Sequence, residues 1–191
     1  MNHYTRQTLL QKIKDTHSED SWNEFVEIYR PYIYHVIKTF GVKTDEIEDF
    51  VQNTLIICWK KLPGFNYEPD KGRFRYWLSR IAQYSVNNHI RKFNRRAELD
   101  EEIIIPTSLS PEIEEISDKE WKVFISKMAW DNIKDNLSEI ARLSFSALMD
   151  GESMDSISER LAIPKNTISV NKKRISPKMF KEIQRLQREL G

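Results

Sequence analysis

The sequence predicts an all-α protein in which two small helical domains are joined by an acidic linker. Its 191 residues include only 5 Gly and 7 Pro, too few for the many turns of a sandwich, a barrel or a Gly-rich nucleotide fold. Apolar residues recur at steps of three and four, which is the period of a helix with one buried face. With 39% hydrophobic and 31% charged residues, the chain is expected to be globular and not embedded in a membrane.

Charge is segregated along the chain, although the formal net charge is only +1. Residues 71–96 contain eight basic residues and no acidic one, whereas residues 97–120 contain nine acids and one base. Residues 160–190 are basic again, with nine Lys or Arg against two Glu. Two positive segments on either side of a negative one indicate a chain that binds polyanions at two places.

These patterns divide the chain into an N-terminal domain of residues 1–96, an acidic linker of residues 97–117 and a C-terminal domain of residues 118–191. The linker contains Pro106 and Pro111 and shows no sustained helical period. We therefore expect no helix within it.

The N-terminal domain is predicted to contain three helices, the first of which ends at Gly41, a residue suited to a helix C-cap. The second runs over residues 45–62, and its outward stripe is Asp49, Gln52, Asn53, Ile56 and Lys60. The third runs over about residues 73–93. One of its stripes interleaves aromatic and cationic residues without a carboxylate: Tyr76, Arg80, Tyr84, Asn87 and Arg91. Taken alone, such stripes are also typical of solvated helix faces.

The C-terminal domain contains the most specific local pattern in the chain, that of a helix-turn-helix over residues 153–176. Ser153 is suited to cap the first helix, and Asn166 the second. Ala162 occupies the turn, and an alanine there predicts a right-handed or extended backbone. Pro177 predicts that the second helix ends or bends at that point.

Three motifs, taken in order, carry a family resemblance. Residues 48–54 (EDFVQNT) are followed by Trp59, residues 72–78 (GRFRYWL) open the third helix, and residues 156–168 lie within the helix-turn-helix. In this order they resemble a bacterial RNA polymerase sigma factor of the extracytoplasmic-function (ECF) type. The resemblance implies sigma region 2 in the N-terminal domain and sigma region 4 in the C-terminal domain.

The resemblance implies a transcription initiation factor that binds core RNA polymerase and directs it to promoters. Core polymerase is expected to bind the outward stripe of the second helix: Asp49, Gln52, Asn53, Ile56 and Lys60. Melted minus-10 DNA is expected at Tyr76, Arg80, Tyr84, Asn87, Arg91, Lys92, Arg95 and Arg96. Duplex minus-35 DNA is expected at Asn166, Thr167, Ser169, Asn171, Lys172, Lys173 and Arg174. An anti-sigma factor is a further partner that the resemblance implies.

The resemblance also implies that the linker lies in the path of nucleic acid through polymerase. Its net charge is expected to disfavour DNA binding by the free protein, through repulsion and self-masking.

No enzyme is predicted, and no metal or cofactor is expected. The four His residues lie far apart without the spacing of a metal site, and no Gly-rich phosphate loop is present. Cys58 is the single cysteine, which excludes an internal disulfide and fits a reducing cytosol. Because no apolar run reaches membrane-spanning length, we expect a cytoplasmic protein without a membrane segment of its own.

The rival interpretation is a dimeric helix-turn-helix repressor whose N-terminal domain binds a ligand or a partner. It explains the C-terminal domain but gives no purpose to the stripe of aromatic and cationic residues. Co-purification with core RNA polymerase distinguishes the two interpretations.

Overall fold

A computed structural model describes residues 6–16, 18–65, 73–94 and 110–190, and every regular element within them is a helix. The all-α class predicted from the sequence is therefore confirmed. In chain order the helices are α1 (Arg6–Thr16), α2 (Glu19–Thr39), α3 (Ile47–Lys61), α4 (Phe74–Asn94), α5 (Pro111–Lys134), α6 (Glu139–Met149), α7 (Met154–Leu161) and α8 (Lys165–Leu190).

The chain divides into two compact units. The first is Met1–Phe124 together with Glu189–Gly191, and the second is Ile125–Arg188. This division differs from the sequence-derived limits of residues 1–96, 97–117 and 118–191, which as functional limits stay a prediction.

Helix α5 begins at Pro111, inside the segment assigned to the linker. The carbonyl of Ser110 accepts hydrogen bonds from two amides of the first turn, at 3.0 and 3.1 Å. Proline suits the first helical position, because the amide that it lacks has no partner within the helix there. Residues 111–117 are therefore helical, contrary to the expectation of no helix, whereas residues 97–109 lie outside the described part of the chain.

In the first unit, α2, α3 and α4 pack against one another, and α1 packs against α2. The rings of Phe25, Tyr29 and Phe74 meet in the core, with centroid distances of 4.9, 5.3 and 6.2 Å. All three side chains are fully buried, and burial of such a side chain contributes about 1.5–3 kcal/mol. This core fixes the orientation of α4 against α2, and therefore which face of α4 points to solvent.

The second unit contains the helix-turn-helix formed by α7 and α8. Its core joins Ala147 of α6, Ile157 of α7 and Ile168 of α8, all buried. The Ser153 side chain caps α7 by accepting a hydrogen bond from the amide of Ser156 at 3.2 Å. The cap predicted at Ser153 is present in the structure.

The backbone at Ala162 is left-handed, with φ 51° and ψ 43°, so the expectation of a right-handed or extended alanine is wrong. The amides of Ala162 and Ile163 bond back to carbonyls of the last turn of α7, at 3.3 and 3.2 Å. The Ser158 hydroxyl donates to the carbonyl of Ile163 at 2.6 Å. These bonds satisfy the helix end and offset a cost of about 1–2 kcal/mol for a left-handed residue with a side chain.

Helix α8 continues through Pro177, so of the two expected effects the end of the helix is wrong, while the bend stays a prediction. Buried apolar residues lie on both sides of this proline: Ile168, Ile175, Met179 and Leu186. Proline inside a helix costs about 3 kcal/mol, and burial of these four side chains outweighs that cost. The helix also begins at Lys165, which places Asn166 within the first turn and not at the predicted cap.

Candidate functional site

The structure brings the outward stripe of α3 together on one exposed face. All of its members are exposed: Asp49, Gln52, Asn53, Ile56 and Lys60. The opposite face of α3 buries Val51, Leu55 and Cys58, and burial raises the pKa of the Cys58 thiol. The side chain of Ile56 is 51% exposed, so this face offers an apolar contact beside an acid, two amides and an amine.

A groove between α2 and α3 borders this face and is not among the features predicted from the sequence. Its volume is about 700 Å³, and it is lined by Glu19, Trp22, Asn23, Val26, Gln52, Leu55, Ile56 and Trp59. The rings of Trp22 and Trp59 meet edge to face, with centroids 5.0 Å apart. Because Gln52 and Ile56 belong to both features, the groove and the stripe form one continuous surface. The four-residue step from Trp22 to Val26 is the sequence signal from which the groove could have been predicted.

The predicted minus-10 stripe lies along one side of α4. Tyr76, Arg80 and Tyr84 are partly exposed, and Asn87 is exposed. Partial burial lowers the pKa of the Arg80 guanidinium. Helix α4 includes the backbone of the predicted phosphate contacts Arg91 and Lys92, whose side chains lie outside the described part of the structure. Arg95 and Arg96 lie outside it entirely.

An ion pair joins the start of α4 to α5 within the first unit. Nε of Arg75 donates to Oδ1 of Asp118 at 2.9 Å, and the hydroxyl of Tyr76 donates to the same oxygen at 3.0 Å. The guanidinium of Arg75 also lies over the Tyr76 ring, 5.0 Å from its centroid. Burial and the bond to Asp118 both raise the pKa of Tyr76. No sequence pattern predicts this contact between residues that are 42 and 43 positions apart.

A second polar contact holds α5 against α2 and α4. The buried hydroxyl of Tyr32 lies 2.9 Å from Oγ of Ser79 and 2.8 Å from Oγ of Ser117. The Tyr32 ring also meets the ring of Trp121 edge to face, with centroids 5.2 Å apart. Burial raises the pKa of Tyr32 to about 12.

The predicted minus-35 residues lie along the first turns of α8. Asn166, Lys172, Lys173 and Arg174 are exposed, whereas Thr167, Ser169 and Asn171 are partly buried. Val170, which was not among the predicted contacts, is 43% exposed on the same part of the helix.

Asn171 has a partner within the protein. Its amide nitrogen donates to Oγ of Ser144 at 3.1 Å, and that hydroxyl donates to the carbonyl of Ala141. The side chain therefore links α8 to α6, which accounts for its partial burial. The predicted DNA contact at Asn171 competes with this bond.

Two further properties of the described residues bear on the class of protein. They bring together no group of three His, Cys, Asp or Glu side chains that suits a metal ion. None of their helices is both long enough and apolar enough to cross a bilayer.

Comparison with known proteins finds a family that matches part of the first unit. Residues 25–96 match the family described as Sigma-70 region 2. The prediction of a sigma factor is confirmed for these residues. A solved structure described as CnrH in complex with the cytosolic domain of CnrY is 18% identical, covers 93% of this chain and 96% of that chain, and has a TM-score of 0.38. No curated protein matches the chain.

Proposed function

We propose that this chain is a sigma factor of the ECF type, which binds core RNA polymerase and recognises duplex minus-35 DNA and melted minus-10 DNA. The observation that carries the proposal is the extent of the region 2 match. Residues 25–96 span most of α2 and all of α3 and α4, and so contain both the outward stripe of α3 and the aromatic and cationic stripe of α4. The repressor interpretation gives the aromatic and cationic stripe of α4 no purpose.

Core polymerase is proposed to bind the outward stripe of α3. A solvent-exposed isoleucine beside an apolar groove is suited to the centre of an interface, because its burial excludes water from neighbouring polar contacts. Asp49 and the amides of Gln52 and Asn53 then offer bonds to basic and amide groups of the partner, and bonds to a charged group are the stronger ones. The groove beside Ile56 extends this surface towards Trp22.

The test is an affinity measurement between core polymerase and the purified chain. We expect the double variant Asp49→Ala, Gln52→Ala to bind core enzyme about tenfold or more weakly, since hot-spot truncations cost more than 1 kcal/mol each. The matched control is Asp135→Ala with Asn136→Ala, which removes an exposed acid and an exposed amide from the turn after α5. Unchanged affinity of the first variant, with normal helicity, rules out this binding surface.

Melted minus-10 DNA is proposed to bind along α4. Tyr76, Tyr84 and Asn87 are the candidates for base contacts, and unpaired bases stack on aromatic rings at about 1–3 kcal/mol each. Arg80 is proposed to contact phosphate, together with Arg91, Lys92, Arg95 and Arg96. The absence of any acidic residue from residues 71–96 supports a surface that attracts the DNA backbone.

Tyr84 provides the sharpest test of this assignment. Tyr84→Ala is expected to slow open-complex formation by the reconstituted holoenzyme, whereas Tyr84→Phe, which keeps the ring, is expected to preserve most of the rate. Equal rates for the wild type and for Tyr84→Ala contradict a base contact at this position.

Duplex minus-35 DNA is proposed to bind the start of α8. A helix N-terminus offers unpaired amides and a positive dipole to phosphate, so Asn166 and Thr167 are proposed to anchor the DNA backbone. Ser169, Lys172 and Lys173 are then proposed to reach the major groove. Lysine donates to guanine edges, so a site containing guanine is expected. Control by an anti-sigma factor that covers the polymerase-binding surfaces completes the proposal, and a pull-down from native cells tests it.

A further inference from the structure

The contact between α5 and the start of α4 bears on how the free chain meets DNA. Arg75 lies in the basic segment of α4, yet its residue is only 5% exposed. The groups that cover its guanidinium include the Asp118 carboxylate and the Trp121 ring, both from α5, with the ring centroid 5.8 Å away. The first half of α5 therefore hides a cation of the basic segment that contains the proposed DNA surface, next to Tyr76.

The chemistry of the contact resembles that of a bound phosphate. A guanidinium fork binds carboxylate and phosphate in the same geometry, so the Asp118 carboxylate occupies a place that a DNA phosphate would suit. Arg73 lies 3.8 Å from the same carboxylate oxygen and adds a second cation to the site. Asp118 thus acts on this site as an internal anion.

Tyr76 is engaged by the same contact. Its hydroxyl donates to Asp118, and one face of its ring is covered by the Arg75 guanidinium. No base can stack on that face while the guanidinium covers it, and a strand that approaches Tyr76 also meets the negative charges of Asp118 and Glu114. In this arrangement Tyr76 is a poor ligand for single-stranded DNA.

We propose that the first half of α5, residues 111–124, is an intramolecular lid on the proposed minus-10 surface, and that Asp118 closes it by holding Arg75 and Tyr76. This inference rests on the proposed binding of minus-10 DNA to α4. The lid is fixed beyond the ion pair by the bond of Ser117 to Tyr32 and by the packing of Trp121 on the Tyr32 ring. The acidic segment then masks the DNA surface through one specific contact, and not only through its overall charge.

The experiment compares the full-length chain, free and bound to core polymerase, as a ligand for a short fluorescein-labelled single strand rich in A and T. Asp118→Asn keeps the shape of the side chain but removes its charge, and it is expected to raise the affinity of the free chain about tenfold, within the usual range of coupling between two sites. In the holoenzyme the lid must already be open for DNA to bind, so the same substitution is expected to change the affinity by less than about twofold.

Two further variants make the result specific. Ser117→Ala removes the bond to Tyr32 without changing any residue of α4. It is expected to raise the affinity of the free chain as well, but by a smaller factor than Asp118→Asn. Glu115→Gln removes one exposed charge from the same helix, and it is expected to leave the affinity unchanged. Hydrogen exchange over residues 111–124 is expected to quicken in Asp118→Asn and in Ser117→Ala but not in Glu115→Gln.

The possible outcomes test the lid and the minus-10 assignment separately. If the holoenzyme binds the strand but Asp118→Asn does not strengthen binding by the free chain, the lid is wrong and the minus-10 assignment stands. If Glu115→Gln strengthens binding as much as Asp118→Asn, overall charge is the cause and the specific contact is rejected. If the holoenzyme does not bind the strand, the minus-10 assignment itself is wrong.

Discussion

The hydroxyl groups of Tyr32 and Ser117 lie 2.8 Å apart, although 85 residues separate them in the chain. Both side chains are buried, and the Tyr32 hydroxyl also meets Ser79 of α4. One phenol thus joins α2, α4 and α5, because each partner supplies an oxygen at hydrogen-bond distance. The start of α5 is a structural part of the first unit for this reason.

The first prediction concerns the stability of this junction towards alkali. Burial raises the pKa of Tyr32 from 10.0 to about 12, so the folded state favours the neutral phenol. This contribution is fully present below pH 10 and is lost as the pH rises towards 12. The wild type is therefore expected to lose about 2–3 kcal/mol of unfolding free energy over this interval relative to Tyr32→Phe, since each pKa unit corresponds to about 1.4 kcal/mol.

Urea unfolding of both proteins below pH 10 and near pH 12 measures this difference. Tyr34→Phe is the control, because Tyr34 lies on the same helix and is only partly buried. A Tyr32→Phe protein that loses stability as steeply as the wild type contradicts the account.

The second prediction concerns the left-handed turn of the helix-turn-helix. Glycine adopts the backbone angles of Ala162 without the steric cost that a side chain imposes, so Ala162→Gly is expected to stabilise the second unit by about 1 kcal/mol. Ala141→Gly, within α6, is expected to have the opposite sign, with a loss of about 0.5–1 kcal/mol. Thermal unfolding of both variants checks the pair, and a destabilised Ala162→Gly shows that the turn is not left-handed.

The third prediction concerns Pro177, which lies inside a continuous α8. Replacing it by alanine restores a backbone amide to the helix but gives the unfolded chain more freedom, so Pro177→Ala is expected to be stabilising by about 2 kcal/mol. Ser176→Ala is expected to be nearly neutral, because Ser176 is not a helix cap. If the helix instead began anew at Pro177, Ser176→Ala would cost about 1 kcal/mol. Urea midpoints of the two variants therefore distinguish a continuous helix from a broken one.

Helix periodicity predicted most of the fold because it depends on neighbours in sequence. The all-α class and the exposed face of α3 follow from the spacing of apolar residues three and four apart. Ile56 is an example, because its position on the outward stripe predicted its exposure. The end of α2 near Gly41 was also predicted from local sequence, and Gly41 has a positive φ of 72°.

The contact of Asp118 with Arg75 could not be predicted from the sequence, because the net charge of the acidic segment does not show which residue Asp118 faces. The sequence nevertheless contains a pattern that predicts a helix in this segment. Ile113, Ser117, Trp121 and Phe124 follow at steps of four, four and three, and all are buried in the structure. Two prolines in the acidic segment concealed this helical stripe. Pro111 marks the first position of the helix, a position that proline favours.

The two prolines that lie inside helices differ in the sequence pattern around them. Pro31 lies inside α2 and Pro177 inside α8, and both helices continue through them. At Pro31 the strong apolar pattern on both sides predicted one helix. Around Pro177, most of the residues between the buried positions of α8 are cationic. The buried positions themselves are widely spaced, so the sequence shows no clear apolar pattern there.

The last prediction concerns which lysines of α8 read the minus-35 sequence. Lys173 and Lys178 are both exposed, and in a continuous helix they lie about 140° apart around the axis and about 7.5 Å apart along it. Lys173 shares its side of the helix with Asn166 and Ser169, near the helix N-terminus that enters the major groove in proteins of this architecture. Lys178 lies on the flank and further from that end, so it is placed for phosphate and not for bases.

Lys173→Ala is therefore expected to change which minus-35 duplexes bind, with losses of about 1–3 kcal/mol at guanine positions and little loss elsewhere. Lys178→Ala is expected to weaken all duplexes alike and to reduce the slope of log affinity against log salt by about one unit. A binding series over single-position variants of the duplex, repeated at several salt concentrations, measures both effects with the same protein preparations. If Lys178→Ala alters sequence preference while Lys173→Ala does not, the reading surface lies further along α8, beyond Pro177.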